Sequence, residues 1–192
     1  KKATLIFDGA MSHARVYVNG QEAGYWPYGY NTFYLDVTPY LKEGMMNTLA
    51  VRLENETESS RWYPGAGLYR NVHLVVTEDA HIPTWGTQLT TPVVKDDYAK
   101  VNIKTTLVVP SGKQFDAYRI VTELKDKNGK VVTTNEKQGT RFDDNVFSQE
   151  LVVTHPALWS PETPVLYQAV SKVYEGNTLK DEYVTSFGIR TI

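Results

Sequence analysis

The chain has 192 residues, enough for one large domain or for two small ones that each bury a core of their own. It is 41% hydrophobic and 22% charged, its net charge is −2, and it contains no cysteine. No apolar run is long enough to cross a membrane, no basic block suits nucleic acid or an anionic membrane, and disulfides, thiolate nucleophiles and cysteine-ligated zinc are excluded.

Alternation of apolar and polar residues predicts short β-strands along residues 1–80 and no sustained helix. The segments ARVYV, TFYLDV, TLAVRL and NVHLVV carry this pattern, and Asn19-Gly20 predicts a tight hairpin turn. Thr38 and Pro39 predict one short helical turn, with Thr38 as its N-cap. In the last two strands, one face is formed by the following apolar residues: Leu49, Val51, Leu53, Val72, Leu74 and Val76.

The character of the sequence changes around residues 78–86, where a Pro and a Gly indicate a domain junction. About seven further strands follow, separated by turns that include Asn128-Gly129 and Gly176-Asn177. This profile is typical of an immunoglobulin-like sandwich. The side chains predicted to be buried in it include the following: Val101, Ile103, Leu107, Val109, Tyr118, Ile120 and Leu124.

Several motifs carry a family resemblance that covers essentially the whole chain. The first half contains, in order, LIFDGA, VYVNGQEAGY, FYLDVTPYLKEG, NTLAVRL and SRWYPGAGLYR, and the second half contains HPALWSPETPVLY and VTSFGIR. In this order the motifs resemble the N-terminal sugar-binding domain and the following immunoglobulin-like domain of glycoside hydrolase family 2. That family comprises β-galactosidases, β-glucuronidases and β-mannosidases, and the mixture of motifs leans towards the β-galactosidases.

The resemblance implies an all-β fold of two antiparallel sandwiches. Residues 1–80 would form a truncated, galactose-binding-like jelly roll, and residues 81–192 an immunoglobulin-like sandwich. The opening strands of the jelly roll and the catalytic (β/α)₈ barrel of the family are not in this sequence. We therefore expect an unpaired sheet edge and uncovered apolar surface in the first domain. Either the parent protein supplies the missing strands, or the first domain is marginally stable or pairs with a neighbour.

The sequence predicts no catalytic residues in this chain. Glycoside hydrolysis needs two carboxylates flanking the sugar, and in the family both are barrel glutamates, of which the acid/base follows an Asn. Two Asn-Glu pairs occur, Asn55-Glu56 and Asn135-Glu136, and both are interpreted as solvated loop residues. No metal site is predicted, because the histidines lack ligand spacing, and no cofactor is predicted either. The histidines are His13, His73, His81 and His155.

The stretch SRWYPGAGLYRNVHL is the strongest candidate for a binding site. It has turn chemistry, so packing over the end of the sandwich would explain it without any ligand. The resemblance supplies the functional alternative, because in the family the loop before this Trp reaches towards the active-site mouth. By position the sugar-contacting residue would be Ser59, Ser60 or Arg61, although the Asp that often makes this contact is absent. Trp62 and Tyr63 complete the candidate set.

A second aromatic cluster, in GYWPYGYN, adds Trp26 as a candidate for stacking on sugar, with Tyr28 beside it. Here too, closing the end of the sandwich is the structural alternative. Trp159 is interpreted as core or junction packing.

The leading hypothesis is a non-catalytic module pair of a family 2 hydrolase, with a carbohydrate substrate and the catalytic barrel as partners in the parent protein and a homo-oligomer left open. The alternatives are a free-standing carbohydrate-binding or adhesive β-sandwich protein and a purely structural spacer. The resemblance favours a bacterial, periplasmic or secreted protein over a cytoplasmic one.

Overall fold

The computed structural model describes residues 1–58, 60–63, 65–141 and 144–191, so the candidate Ser59 lies outside the described residues. The chain divides into two compact units, Lys1–Thr77 (domain 1) and Glu78–Ile192 (domain 2). In the described ranges, strands are joined by turns and by two single 3₁₀ turns, which confirms the all-β class. No helix in these ranges is long and apolar enough to cross a bilayer.

Domain 1 contains eight short strands among its described residues. They are β1 (Lys2–Phe7), β2 (Ala10–Met11), β3 (Ala14–Val18), β4 (Gln21–Trp26), β5 (Phe33–Asp36), β6 (Leu49–Arg52), β7 (Gly67–Leu68) and β8 (Val72–Thr77). They form antiparallel sheets in the orders β5-β1-β8, β4-β3-β6 and β2-β7. Alternate side chains of β1, β3 and β5 meet in one buried core, so the two three-stranded sheets form a sandwich.

Two turns of domain 1 test the local predictions. Asn19 and Gly20 have φ values of 52° and 82° and connect β3 to β4, which confirms the hairpin. The predicted N-cap is wrong, because Thr38 is itself the first residue of the 3₁₀ turn and Val37 occupies the cap position. The Thr38 hydroxyl instead accepts a hydrogen bond from the Ala3 backbone N–H at 2.9 Å, which ties the turn to β1.

The core-facing side of β8 is open to water. Leu74 pairs directly with Leu5, and Val76 with Ala3, so both side chains point to the same face as the buried residues of β1. Leu74 is nevertheless 59% exposed and Val76 56% exposed. Leu49 of β6 is exposed in the same way, opposite buried Val18. The alternation therefore assigns the right face, but no described residue of domain 1 covers these side chains. Missing jelly-roll strands over this region stay a prediction.

Domain 2 contains seven strands among its described residues. They are β9 (Thr87–Val94), β10 (Tyr98–Thr106), β11 (Tyr118–Lys125), β12 (Val131–Gln138), β13 (Val146–Thr154), β14 (Tyr167–Glu175) and β15 (Thr178–Phe187). Their orders are β13-β10-β9 and β12-β11-β14-β15, with all pairs antiparallel. Of the predicted core residues, Val109 is half-buried and the other six are almost completely buried.

A buried polar network joins the two sheets of domain 2. Gln149 on β13 donates from Nε2 to the backbone oxygens of Ile120 on β11, at 3.2 Å, and Asn135 on β12, at 2.9 Å. Its Oε1 accepts from the hydroxyl of Thr122 at 2.8 Å, and that hydroxyl lies 3.1 Å from the hydroxyl of Ser171. Because the side chains of Gln149, Thr122 and Ser171 are buried, each bond replaces one that water would make in the unfolded chain.

We expect Gln149→Leu to destabilise domain 2 by about 2 kcal/mol, because it keeps the volume but leaves buried acceptors and a hydroxyl without their partner. Chemical denaturation would measure the change in the free energy of unfolding. The matched control is Gln88→Leu, on the exposed side of β9, which should change that free energy by no more than about 0.5 kcal/mol. Equal effects of the two variants would contradict a role for the network.

The open face of β8 leads to a second prediction: calorimetry should resolve two unfolding transitions, with residues 1–80 melting first. Variants of two fully buried residues, Phe7 in domain 1 and Ile120 in domain 2, show which domain unfolds in each transition. Phe7→Leu should lower the midpoint of the first transition only, and Ile120→Val that of the second only. Each should reduce the free energy of unfolding of its own domain by about 1 kcal/mol. A single cooperative transition that both variants shift would show that domain 1 is not the weaker unit.

Candidate functional site

The candidate residues lie on two neighbouring loops of domain 1. The Tyr28 loop (residues 27–32) connects β4 to β5, and the Trp62 loop (residues 60–70, described except for residue 64) leads through β7 towards β8. The Trp62 Nε1–H donates to Tyr30 Oη at 3.0 Å, and the Tyr69 hydroxyl donates to the Gly29 carbonyl oxygen at 2.7 Å. The two aromatic motifs of the sequence are therefore joined in the fold.

Small residues allow this close approach. A Cβ atom at Gly29 would overlap the Met11 sulfur, and a Cβ atom at Gly9 would lie 2.6 Å from the ring of Tyr69. Met11 belongs to β2, which pairs with β7 through Met11 and Gly67. The glycines therefore let the Tyr69 ring pack against Gly9 and the Tyr28 loop pack on Met11 of β2, and these contacts constrain where the Trp62 loop can lie.

The aromatic rings of the two loops form an exposed surface. Trp62 is 64% exposed and Tyr63 is 86% exposed. Tyr28 and Tyr30 are also exposed and meet edge to face, with ring centres 5.5 Å apart. Because the Trp62 indole N–H donates a hydrogen bond to Tyr30, the indole ring is held in place while most of it remains exposed to solvent. We call these four rings the aromatic surface: Tyr28, Tyr30, Trp62 and Tyr63.

Trp26 is placed differently from the other candidates. It is half-buried at the end of β4, and its ring stacks on Phe33 with centres 5.6 Å apart. Phe33 in turn stacks on Phe7 at 4.8 Å. Trp26 therefore packs against the edge of the domain 1 core, and it is the residue that directly precedes the Tyr28 loop. Its Nε1 atom is enclosed and has no hydrogen-bond partner among the described residues.

The polar candidates Ser60 and Arg61 differ in exposure. The Ser60 hydroxyl is enclosed and, within the described part of the chain, has no hydrogen-bond partner. Arg61 is exposed. Arg70, which was not among the predicted site residues, lies at the other end of the same loop, with its guanidinium carbon 5.3 Å from the centre of the Tyr69 ring. Tyr30 and Tyr69 were not among the predicted site residues either, because only the fold shows that their hydroxyl groups connect the loops.

The two Asn-Glu pairs show no catalytic arrangement among the described residues. Glu56 lies in a loop, with Oε1 3.6 Å from His13 Nε2. The prediction of a loop for Asn135-Glu136 is wrong, since both residues lie within β12 and Glu136 pairs with Arg119 at 3.2 Å. Pairing with β11 outweighs the low strand propensity of this polar segment. No group of three His, Asp or Glu side chains in the described ranges is placed to hold a metal ion.

Comparison with known families accounts for both domains. Residues 1–78 match the family described as "Glycosyl hydrolases family 2, sugar binding domain", and residues 80–190 match "Glycosyl hydrolases family 2". The chain belongs to glycosyl hydrolases family 2. The resemblance noted from the motifs is thereby confirmed over the whole chain, as is the architecture of two β-sandwich domains.

Individual relatives of this family 2 chain carry different activities in their names. A β-galactosidase of Bacteroides ovatus is 42% identical over 97% of this chain and 22% of its own length. A protein of Formosa agariphila named as a putative β-glucuronidase is 36% identical over 100% of this chain and 18% of its own length. A solved structure of a family 2 member from Bacteroides cellulosilyticus has a TM-score of 0.92 at 36% identity, over 99% of this chain and 25% of that one. The chain thus spans about a quarter or less of these relatives.

We expect Tyr69→Phe to destabilise domain 1 by about 1 kcal/mol, because it removes the part-buried hydrogen bond to Gly29 that joins the two loops. The amide and indole hydrogens of the Tyr28 and Trp62 loops should also exchange faster with solvent. Tyr63→Phe is the matched control, because Tyr63 is almost fully exposed. Unchanged stability and exchange in Tyr69→Phe would show that this bond does not hold the loops together.

Proposed function

We propose that this chain supplies the non-catalytic N-terminal modules of a family 2 β-galactosidase, an enzyme that hydrolyses terminal β-glycosides. The observation that carries the galactosidase assignment is the 42% identity to the Bacteroides ovatus β-galactosidase over almost the whole chain, against 36% for a protein of Formosa agariphila named as a putative β-glucuronidase. The partners of the modules would be a catalytic barrel in the parent chain and a carbohydrate substrate.

In this proposal the Trp62 loop touches the substrate. Exposed aromatic rings can stack on the C–H-rich faces of sugars, and Trp62 and Tyr63 are the most exposed aromatic side chains of domain 1. Ser60 and Arg61 would supply polar contacts beside them. Trp26 would contribute from the base of the Tyr28 loop, where its ring is stacked on Phe33.

The chain alone should not hydrolyse glycosides. The reaction requires two carboxylates facing each other across the scissile bond, one of them protonated at working pH. The described Asn-Glu pairs do not provide this. Glu136 of domain 2 is paired with Arg119 on a sheet, and Glu56 of domain 1 lies beside His13. The carboxylates are assigned to the parent's barrel.

A free-standing carbohydrate-binding protein is the second candidate, and the exposure of the aromatic surface favours it. Such a protein would bind glycan without a barrel in its reading frame. Binding that is lost in Trp62→Ala or Trp26→Ala, together with a reading frame that lacks a barrel, would support this candidate over the hydrolase.

We expect the protein expressed from the complete reading frame to hydrolyse a chromogenic β-galactoside faster than a β-glucuronide, and the 192-residue chain to hydrolyse neither. In the complete protein, Trp62→Ala should raise KM for an oligosaccharide by about tenfold if one stacking contact of about 1.4 kcal/mol is lost. Tyr25→Ala, an exposed tyrosine on β4, is the control. Turnover by the 192-residue chain that disappears when one of its own glutamates is replaced would contradict the proposal.

A further inference from the structure

Arg61 and Arg70, both on the Trp62 loop, form no ion pair with any carboxylate that the structure describes, and both are exposed. The other two arginines of domain 1 behave differently. Arg15 and Arg52 each have a glutamate carboxylate within 3.2 Å of a guanidinium nitrogen. The arginines of domain 1 without a carboxylate partner in the described ranges are therefore both on the loop that carries the aromatic surface.

The carboxylates of the neighbouring chain segment do not neutralise these arginines. Glu56 is directed to His13, with Oε1 3.6 Å from Nε2. Glu58 is exposed and has a φ of 55°, and it makes no ion pair with Arg61 or Arg70 in the structure. Both guanidinium groups are thus available to an external carboxylate without first breaking an internal pair.

The position of Arg70 links this charge to the aromatic surface. Its guanidinium group lies over the Tyr69 ring, and the Tyr69 hydroxyl is bonded to Gly29, the residue between Tyr28 and Tyr30. At the other end of the loop, Arg61 precedes Trp62, whose indole is bonded to Tyr30. Both arginines therefore belong to a loop that is fastened at two points to the Tyr28 loop.

A ligand that satisfies both features combines the apolar face of a pyranose ring with a carboxylate. Arginine pairs with carboxylates through two parallel hydrogen bonds, which a neutral hydroxymethyl group cannot reproduce. We propose that the Tyr28 and Trp62 loops bind a glycan that contains a uronic acid, with the aromatic surface against the sugar and Arg61 and Arg70 facing its carboxylate. This inference rests on the proposed function, in which these loops contact glycan, and it adds the chemical class of the glycan.

The test uses the 192-residue chain and two trisaccharides, one with a β-galactosyl end and an internal glucuronate, the other identical except that its carboxylate is reduced to a primary alcohol. Binding would be measured by calorimetry and by NMR titration of the Trp62 indole N–H. We expect a Kd on the order of 1 mM or lower for the acidic trisaccharide and about tenfold weaker binding of the reduced one. Added salt should narrow this difference.

The variants separate charge from stacking. Arg61→Gln and Arg70→Gln should each weaken binding of the acidic trisaccharide several-fold and leave the weak binding of the reduced one unchanged. Trp62→Ala should weaken binding of both. Arg52→Gln, which removes an arginine already paired with Glu54, and Glu58→Gln, which removes a carboxylate from the same segment, are the controls and should not weaken either.

Two results would overturn the inference. If both trisaccharides bind equally and neither Arg61→Gln nor Arg70→Gln changes the affinity, the loops bind glycan without selecting an acid, and the proposed function stands without this addition. If the chain binds neither trisaccharide, the inference is wrong. The proposed function is then judged separately, by the effect of Trp62→Ala on KM in the complete enzyme.

Discussion

A stack of three aromatic rings fixes the part of domain 1 on which the candidate site depends. Phe7 on β1 stacks on Phe33, and Phe33 stacks on Trp26, with nearly parallel rings at both contacts. Trp26 is the last residue of β4 and Phe33 the first of β5, so the stack holds both ends of the Tyr28 loop. A six-residue loop with fixed ends has few conformations left to lose, and the Trp62 loop can dock on it at little further entropic cost.

Strand alternation was sufficient to predict most of this fold. Val16 and Val18 on β3 or Ile120 and Leu124 on β11 are buried as the period of two requires, because a one-residue shift would turn every apolar side chain to solvent. The same rule failed to predict exposure in β8. It assigns Leu74 the correct face, but whether a face is covered depends on other parts of a protein, about which a local pattern carries no information.

The candidate site was less predictable for a related physical reason. Its composition was visible, since Arg61, Trp62 and Tyr63 stand out in the sequence, but its assembly depends on contacts across 32 residues from Tyr30 to Trp62 and 40 residues from Gly29 to Tyr69. These four residues lie in loops, where the sequence has no strand alternation from which a contact could be predicted. The Thr38 cap shows the same limit at short range, because its hydroxyl found a partner in Ala3, 35 residues away, in place of its own turn.

In the proposed function, family membership and the choice of glycan rest on different residues of this chain. The glycines and buried aromatics that carry the family signature shape the loops, and the same frame serves relatives named as β-galactosidases and β-glucuronidases. Arg61 and Arg70 have no carboxylate partner in the described ranges, and even an exposed ion pair would contribute only about 1 kcal/mol or less to stability. The packing of these loops does not restrict the chemistry of their exposed side chains. The charge of the Trp62 loop is therefore where we look for the glycan that this member of the family distinguishes from others.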